Sequence, residues 1–388
     1  MASASATSGG WGLRLSVFFG ALFLIHGVNL TYLPVWLEGR GLSPAEIGLA
    51  SSAPMLMRIA VTPAVAFMAD RAALHREIII AACVGALLLM VALHSAGSVL
   101  VVIVLVVLVQ MALQTVMPLA DTVTMAAVKE RGLDYGRIRL WGSLTFILAS
   151  YVAGWAVARE GAEAVLYLTI AAAGLTVAAA IWLPRAEASR GPRLTFADAV
   201  ELVKGRTFLL FLVTAGAIQA SHAVLYVFGV IHWRSQGLSA GYIATLWAIS
   251  VLAEIALFWA ARWLQGYGPV RLMMLGAAAG LVRWLAMAFD PAPYWLVPLQ
   301  ILHAGTFAAS HLGAMLWIGA RVPAATAGTA QALLSTFTAG IAMSAAMLVA
   351  GLLYAAFAGR AYLAMVVACG LGLVAGLALA RLERREAT

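Results

Sequence analysis

The sequence predicts an all-α integral membrane protein, twelve transmembrane helices in two pseudo-symmetric six-helix halves. Three observations predict it. The chain of 388 residues is 64% hydrophobic and 10% charged, where a soluble domain runs at about 45 to 50% apolar and about 25% charged. Its apolar residues gather into stretches long enough to cross a bilayer, which takes about 20 residues each. Short motifs also recur at a near-constant offset, as a duplicated unit requires.

Long apolar runs broken by Pro, Gly and charge place the first six spans at 13–37, 45–68, 77–94, 98–125, 138–158 and 164–183. The second six follow at 206–232, 240–261, 271–289, 295–319, 326–357 and 361–380. Met1 to Gly10 is small and polar with no basic region, so the first apolar run is expected to be retained as a helix rather than cleaved as a signal. The longest polar stretch divides the chain into an N-terminal half at 1–183, a linker at 184–205 and a C-terminal half at 206–388. Within the linker, Thr195 ahead of Asp198 resembles an N-terminal capping pair and predicts a short surface helix.

The repeat is visible in residues. Gly41-Leu42-Ser43 recurs as Gly237-Leu238-Ser239 at an offset of 196, which carries His26 onto His222 and Arg58 onto Glu254. Arg76 and Gly85 match Arg271 and Gly280 at 195; Gln110, Met125 and Arg131 match Gln300, Met315 and Arg321 at 190, taking Asp121 onto His311. Duplicated halves with a path at the bilayer midplane are a transporter architecture.

Charge sets the expected orientation, because cytoplasmic loops retain Lys and Arg. Of the 24 basic residues, Arg40, Arg159, Arg234 and Arg360 fall on one side and Arg58, Arg139 and Arg283 within or at the edges of spans. The other 17 lie on the side of the termini and linker. Both termini are therefore expected in the cytoplasm, in a multi-pass protein of the inner membrane.

Several charges stand where lipid should be. Arg58, Glu254 and Arg283 lie 12 to 14 residues into their predicted spans, about 18 to 21 Å deep at 1.5 Å per residue. A charge at a helix centre costs at least about 2.5 to 3.5 kcal/mol and persists where it lines a cavity or finds a partner. Glu254 with a nearby arginine, His222 and His303 reads as a proton relay; the plainer reading is a static pair of Glu254 with Arg58 or Arg283. His26 and His222 read equally as packing histidines. His303 and His311, eight residues apart, fall about 80° apart on an α-helix and need not face one cavity. By composition Asp121 and Arg139 are flanking charges, and Tyr135 and Trp141 belong to an interfacial aromatic belt.

Other classes lose support. The basic residues form no aromatic-interleaved patch, so nucleic-acid binding is not indicated. Cys83 and Cys369 sit inside apolar runs without metal-ligand spacing and read as lipid-buried thiols. No HExxH, GxSxG or phosphate loop stands in a suitable context for an enzyme.

Two segments are more specific. Leu133–Ser143, reading LDYGRIRLWGS, and Gln300–Phe307, reading QILHAGTF, resemble spans 5 and 10 of the major facilitator superfamily branch that includes the 3-phenylpropionate permease. More distantly the chain resembles the oligosaccharide:proton symporters such as the lactose permease. That likeness implies the major facilitator fold and roles for residues. Asp121 and Arg139, 18 residues apart, match an acid and an arginine that hold substrate. Arg283 and His303, 20 apart, match a pair involved in proton coupling, and Glu254 is similar to the acid that couples substrate to proton. The family's proton-carrying glutamate three residues beyond the histidine is Thr306 here, and its sugar-stacking tryptophan is Phe146, which favours an apolar aromatic substrate. Asp70, Arg71 and Arg76 resemble the gating motif between spans 2 and 3, with Ala66 and Ala73 in place of its glycines; positive-inside anchoring is the alternative.

The expected activity is thus proton-coupled uptake, by a monomer, of a small organic substrate of phenylpropionate type. Glu254, Arg283 and His303 would couple the proton, and Asp121, Arg139, Phe146, Arg58, His26, His222 and His311 would bind substrate. No cofactor or metal is expected, the proton gradient supplying the energy. The alternatives are a sugar or nucleoside symporter, an efflux antiporter, and, from another class, a non-transporting membrane receptor.

Overall fold

The computed structural model describes residues 2–184, 196–323 and 326–386, and the described residues contain helices and turns but no strand. Spans 1 to 6 are Ala2–Gly39, Pro44–Ala72, His75–His94, Val99–Arg131, Tyr135–Glu160 and Ala164–Trp182. A linker helix, Phe196–Lys204, follows; Thr195 and the side chain of Asp198, the expected capping pair, lie outside the described residues. Span 8 is Ala240–Trp259, span 9 Pro269–Met287 and span 12 Tyr362–Glu386. Several helices outrun their apolar cores, as in span 4, which ends at Arg131, and span 12, which ends at Glu386. Backbone hydrogen bonding continues into water where hydropathy stops.

Spans 7, 10 and 11, expected as continuous helices, are interrupted. Span 7 is Arg206–Ala220 and Ala223–Ser235, parted at Ser221 and His222. Span 10 is Pro293–Ile301, a π segment at Ala304–Ala309, and Ser310–Arg321. Span 11 is Ala327–Ser335, a π segment at Thr336–Ala342, and Met343–Phe357. Among the described residues eleven runs are long and apolar enough to cross a membrane. The last, Ala327–Glu386, has 60 residues, far more than the roughly 20 of one crossing, and it turns at Ala358 (φ 48°) into spans 11 and 12.

The duplicated Gly-Leu-Ser motif is a turn. Gly41 and Gly237 both adopt φ +83°, open to glycine without a Cβ penalty. Leu42 N–H donates to the Leu37 carbonyl at 3.1 Å and Leu238 N–H to that of Trp233 at 3.0 Å, closing the preceding helix in the same way. The serines then start the next helices: Ser43 Oγ accepts from Glu46 N–H and the Glu46 carboxylate accepts from Ser43 N–H, while Ser239 Oγ accepts from Tyr242 N–H.

Contacts divide the chain into two compact units, Met1–Gly191 with Ser239–Ala244, and Pro192–Leu238 with Thr245–Thr388. The core of the first gathers Phe18, Phe19, Leu22, Ile79, Val116 and Leu119. That of the second gathers Phe208, Phe211, Ile218, Met273, Trp317 and Leu379, with Phe211 and Trp317 stacked at 4.1 Å. Leu100 and Val367 are 71% and 72% exposed, as residues of a lipid-facing surface are.

Small residues set the closest approach of helices in lipid. A Cβ on Gly27 of span 1 would stand 2.5 Å from the Phe146 carbonyl oxygen of span 5, backbone that cannot rotate away. Gly27→Ala is expected to destabilise the first unit by roughly 1 to 3 kcal/mol, the scale of overpacking, seen as a lower thermal-unfolding midpoint in detergent. An unchanged midpoint would mean the two spans separate at little cost.

Candidate functional site

In the second unit, span 9 carries Arg283 into a wholly buried position, with 0% exposure. Span 10 faces it with Gln300, His303 and Thr306, positions i, i+3 and i+6 of one helical face. Arg283 Nη2 donates to Gln300 Oε1 at 2.7 Å, and Nη1 donates to His303 Nδ1 at 2.8 Å and to Thr306 Oγ1 at 3.2 Å. Gln300 Oε1 also accepts from Ser250 Oγ of span 8 at 2.7 Å. Arg283 additionally lies over its neighbour Trp284 at 4.4 Å.

The arginine fixes the tautomer of His303. Nδ1 receives an N–H from Arg283, so it carries no proton of its own, and the imidazole hydrogen sits on Nε2. That nitrogen lies 2.8 Å from Glu254 Oε1 and donates to it. Glu254 and Arg283 are therefore joined through a neutral imidazole, not as the direct pair that their depths also suggested. Side-chain exposure falls from 21% at Glu254 to 5% at His303, so the carboxylate is the more open end of the series.

His222 stands at the break in span 7. Its Nδ1 bonds the Gln219 carbonyl at 3.1 Å and its Nε2 the Thr306 hydroxyl at 2.9 Å, which ties it into the same network. Trp284 Nε1–H donates to Ser221 Oγ at 3.0 Å, holding the break from span 9.

The expected 80° separation of His303 and His311 is corrected by the π segment. A π turn inserts about one extra residue, so eight positions act as seven and the two rings come onto one side. His303, Phe307 and His311 stack in sequence, with centroids at 5.5 and 6.5 Å and interplanar angles of 23° and 15°. His311 interacts electrostatically with Glu254.

The first unit holds a looser set. Tyr135 O–H donates to Asp121 Oδ1 at 3.0 Å, and the Arg139 guanidinium approaches both groups. Tyr135 thus has a specific partner beyond the belt role expected for it, and Asp121 and Arg139 form no direct ion pair. The Arg139 guanidinium carbon lies over Phe23 at 3.8 Å from the ring centroid, and Phe23 stacks on His26 at 5.1 Å. Gly142 makes room: a Cβ there would stand 2.8 Å from Arg139 Nη1 and 3.0 Å from the Phe23 ring. His26 Nδ1 bonds the Leu22 carbonyl at 3.0 Å. Arg58, half-buried in span 2, has no hydrogen bond or ion pair among the described residues. Phe146 is buried where span 5 meets Gly27 of span 1.

Of the gating residues, Arg76 donates to the Leu183 carbonyl at 2.7 Å and to that of Ile181, capping the end of span 6. Arg71 is exposed, and the side chain of Asp70 lies outside the described residues. Sequence reasoning passed over Gln300, Ser250, Thr306 and Phe23 as site members. Gln300, His303 and Thr306 share a 3-residue spacing that marks one helical face, the signal that was available.

A family model described as "MFS_1 like family" matches residues 12–364. The chain belongs to the MFS_1 like family. It is therefore a multi-pass transporter of the major facilitator type and not an enzyme, and its small-molecule substrate crosses a membrane. Among similar proteins, the "Probable 3-phenylpropionic acid transporter" of Escherichia coli (strain K12) is 31% identical over 79% of this chain and 82% of its own length. The "Maltose permease" of Geobacillus stearothermophilus is 33% identical over 95% and 94%. A crystal structure of the nucleoside transporter NupG superposes with a TM-score of 0.83 at 18% identity, covering 96% of this chain and 98% of that one, which establishes the shared fold.

The Tyr135 and Asp121 bond yields a test. In thermal unfolding, Tyr135→Phe and Asp121→Asn together are expected to cost less than the sum of the single changes, with a coupling of about 0.5 to 3 kcal/mol for groups in one network. Strict additivity would return both residues to independent interfacial roles.

Proposed function

We propose that this transporter takes up a small aromatic carboxylate, of phenylpropionate type, together with a proton, by alternating access in the inner membrane. The chain acts as a monomer with both termini in the cytoplasm, and the proton gradient replaces any cofactor. The observation that carries the reading is the Glu254, His303, Arg283 series: an acid open enough to exchange a proton, linked through a neutral ring to a permanently charged, fully buried guanidinium. Protonating Glu254 removes one negative charge from the carrier, so a carrier holding the proton favours an anion. By reciprocity the anion favours the proton.

Substrate contacts are assigned to the first unit. Arg58 has a guanidinium without a protein partner among the described residues, and Arg139 is held over the aromatic face of Phe23. A carboxylate would take charge-assisted hydrogen bonds from one or both arginines, with the aryl ring against Phe23. Phe146, buried against Gly27 of span 1, offers no open face to a substrate in this scheme. The name of the Escherichia coli relative points the same way. A sugar is the second reading, favoured by the identity with the Geobacillus permease across nearly the whole chain.

In proteoliposomes with an imposed pH gradient, radiolabelled phenylpropionate is expected to accumulate while maltose and nucleosides are not; maltose accumulation alone would select the second reading. Phe23→Ala should weaken an aryl acid by on the order of 1 kcal/mol, the scale of one aromatic contact, and leave short aliphatic acids nearly unchanged.

Glu254→Gln should abolish uphill accumulation and retain downhill exchange of substrate. A variant that still concentrates substrate against its gradient would remove Glu254 from the coupling role.

A further inference from the structure

Spans 1, 5 and 6 enclose a groove of about 790 Å³ in the first unit that neither the proton series nor the proposed substrate contacts use. Span 1 packs along both span 5 and span 6, while those two touch little. They are joined by a short turn at Gly161 to Glu163 and diverge toward the opposite end, leaving span 1 as the floor. The floor carries the small residues Ser16, Gly20 and Ala21 between Leu13, Val17 and Leu24, and the walls carry Trp141, Leu175 and Trp182. From Leu13 to Leu24 it runs 11 residues, about 16 Å at 1.5 Å per residue, close to half of the roughly 30 Å hydrocarbon core of a bilayer. The groove is one leaflet deep. Its rim is exposed, with Trp141 54%, Trp182 43% and Leu175 57% accessible, in a chain whose exposed apolar surface meets lipid.

The wide end is polar and positive. The Arg14 guanidinium lies over the Trp182 ring at 5.5 Å. Arg137, exposed, stands one turn before Trp141 on span 5, on the same helical stripe. Neither arginine forms an ion pair among the described residues. The indole N–H groups of Trp141 and Trp182 likewise have no acceptor among them, although tryptophan at a membrane interface usually hydrogen-bonds at headgroup level. Donors without acceptors and cations without anions thus surround the mouth of an apolar slot of acyl-chain depth.

We infer that this groove is a binding site for one phospholipid with an anionic headgroup, drawn from the leaflet at the N-terminal end of span 1. An acyl chain lies along Ser16, Gly20 and Ala21. The phosphate takes hydrogen bonds from Arg14 and the two indoles, with Arg137 adding charge. The lipid wedges spans 5 and 6 and so steadies the end of span 5 that carries Asp134, Tyr135 and Arg139.

The test uses the full chain in nanodiscs of phosphatidylethanolamine and phosphatidylglycerol at 3:1, released into mild detergent for native mass spectrometry. The wild type is expected to retain phosphatidylglycerol at least about fivefold above its bulk ratio, since one arginine near an anionic surface contributes about 1 kcal/mol. Arg14→Gln with Arg137→Gln should return that ratio to bulk, and Ala178→Trp, which fills the slot, should remove the retained lipid. Retention at the bulk ratio in the wild type, or undiminished retention in either variant, overturns the site. Should Ala178→Trp fail to fold, phosphatidylglycerol bearing an acyl-chain diazirine decides on the wild type alone. Labelling of peptides containing Ser16 to Leu24 and Leu175 to Trp182 supports the site, and labelling confined to other surfaces refutes it.

Discussion

The second half is arranged around one buried guanidinium. Arg283 is closed off from solvent inside a membrane span, where an unsatisfied charge is among the costliest features a helix can carry. Span 10 meets it with three acceptors spaced three residues apart, so the two helices are held at one relative rotation. Among the described residues its hydrogen-bond partners are all neutral. The one carboxylate of the network reaches it through His303, and this indirectness separates the acid from the guanidinium. A carboxylate one imidazole away keeps part of the attraction of a direct pair with Arg283 without contacting the guanidinium.

The π segment of span 10 depends on the same arrangement. Three contacts fix the helix up to Thr306, and the extra residue then turns the remainder so that Phe307 and His311 continue the stack begun by His303. In regular α geometry His311 would be rotated away from Glu254. The poorer hydrogen bonding of a π turn is offset by ring stacking and by a second histidine near the acid. Nothing in the sequence of Ala304 to Ala309 announces this, because no Pro or β-branched run marks a register shift. Its cause lies in side chains on neighbouring spans.

What was legible follows from the range of the interaction that decides it. Span positions depend on local apolar content, and the paired Gly-Leu-Ser turns depend on backbone angles and caps within six residues; both could be read from the chain. Glu254, Arg283 and His303 announced themselves because charge in lipid is rare. Tyr135, Gln300 and Ser250 did not, since a neutral polar residue near a span end or on a helix face has many uses until its partner is known. The break at Ser221 and His222 was hidden for a related reason: the tryptophan that stabilises it comes from span 9, 63 residues further on.

Duplication explains why the two halves hold comparable residues and yet differ in finish. His26 and His222 occupy equivalent positions, and each spends Nδ1 on a carbonyl of its own helix, which leaves Nε2 as an acceptor. In the second half Thr306 takes that acceptor; in the first half it has no partner among the described residues. Arg58 corresponds to Glu254, and again the second-half residue is engaged while the first-half residue is open. A duplicated scaffold gives each ancestral position the same depth and direction, so divergence can act on charge without moving the backbone. One half has drawn most of its polar groups into a network, with Arg283 Nε and Gln300 Nε2 left unpaired in it, and the other has kept a ring nitrogen and a guanidinium without a partner among the described residues. Unsatisfied groups held at fixed depth are the ones whose free energy a ligand can lower, and under the proposed function the open guanidinium of Arg58 and the free ring nitrogen of His26 are where such a gain would come from.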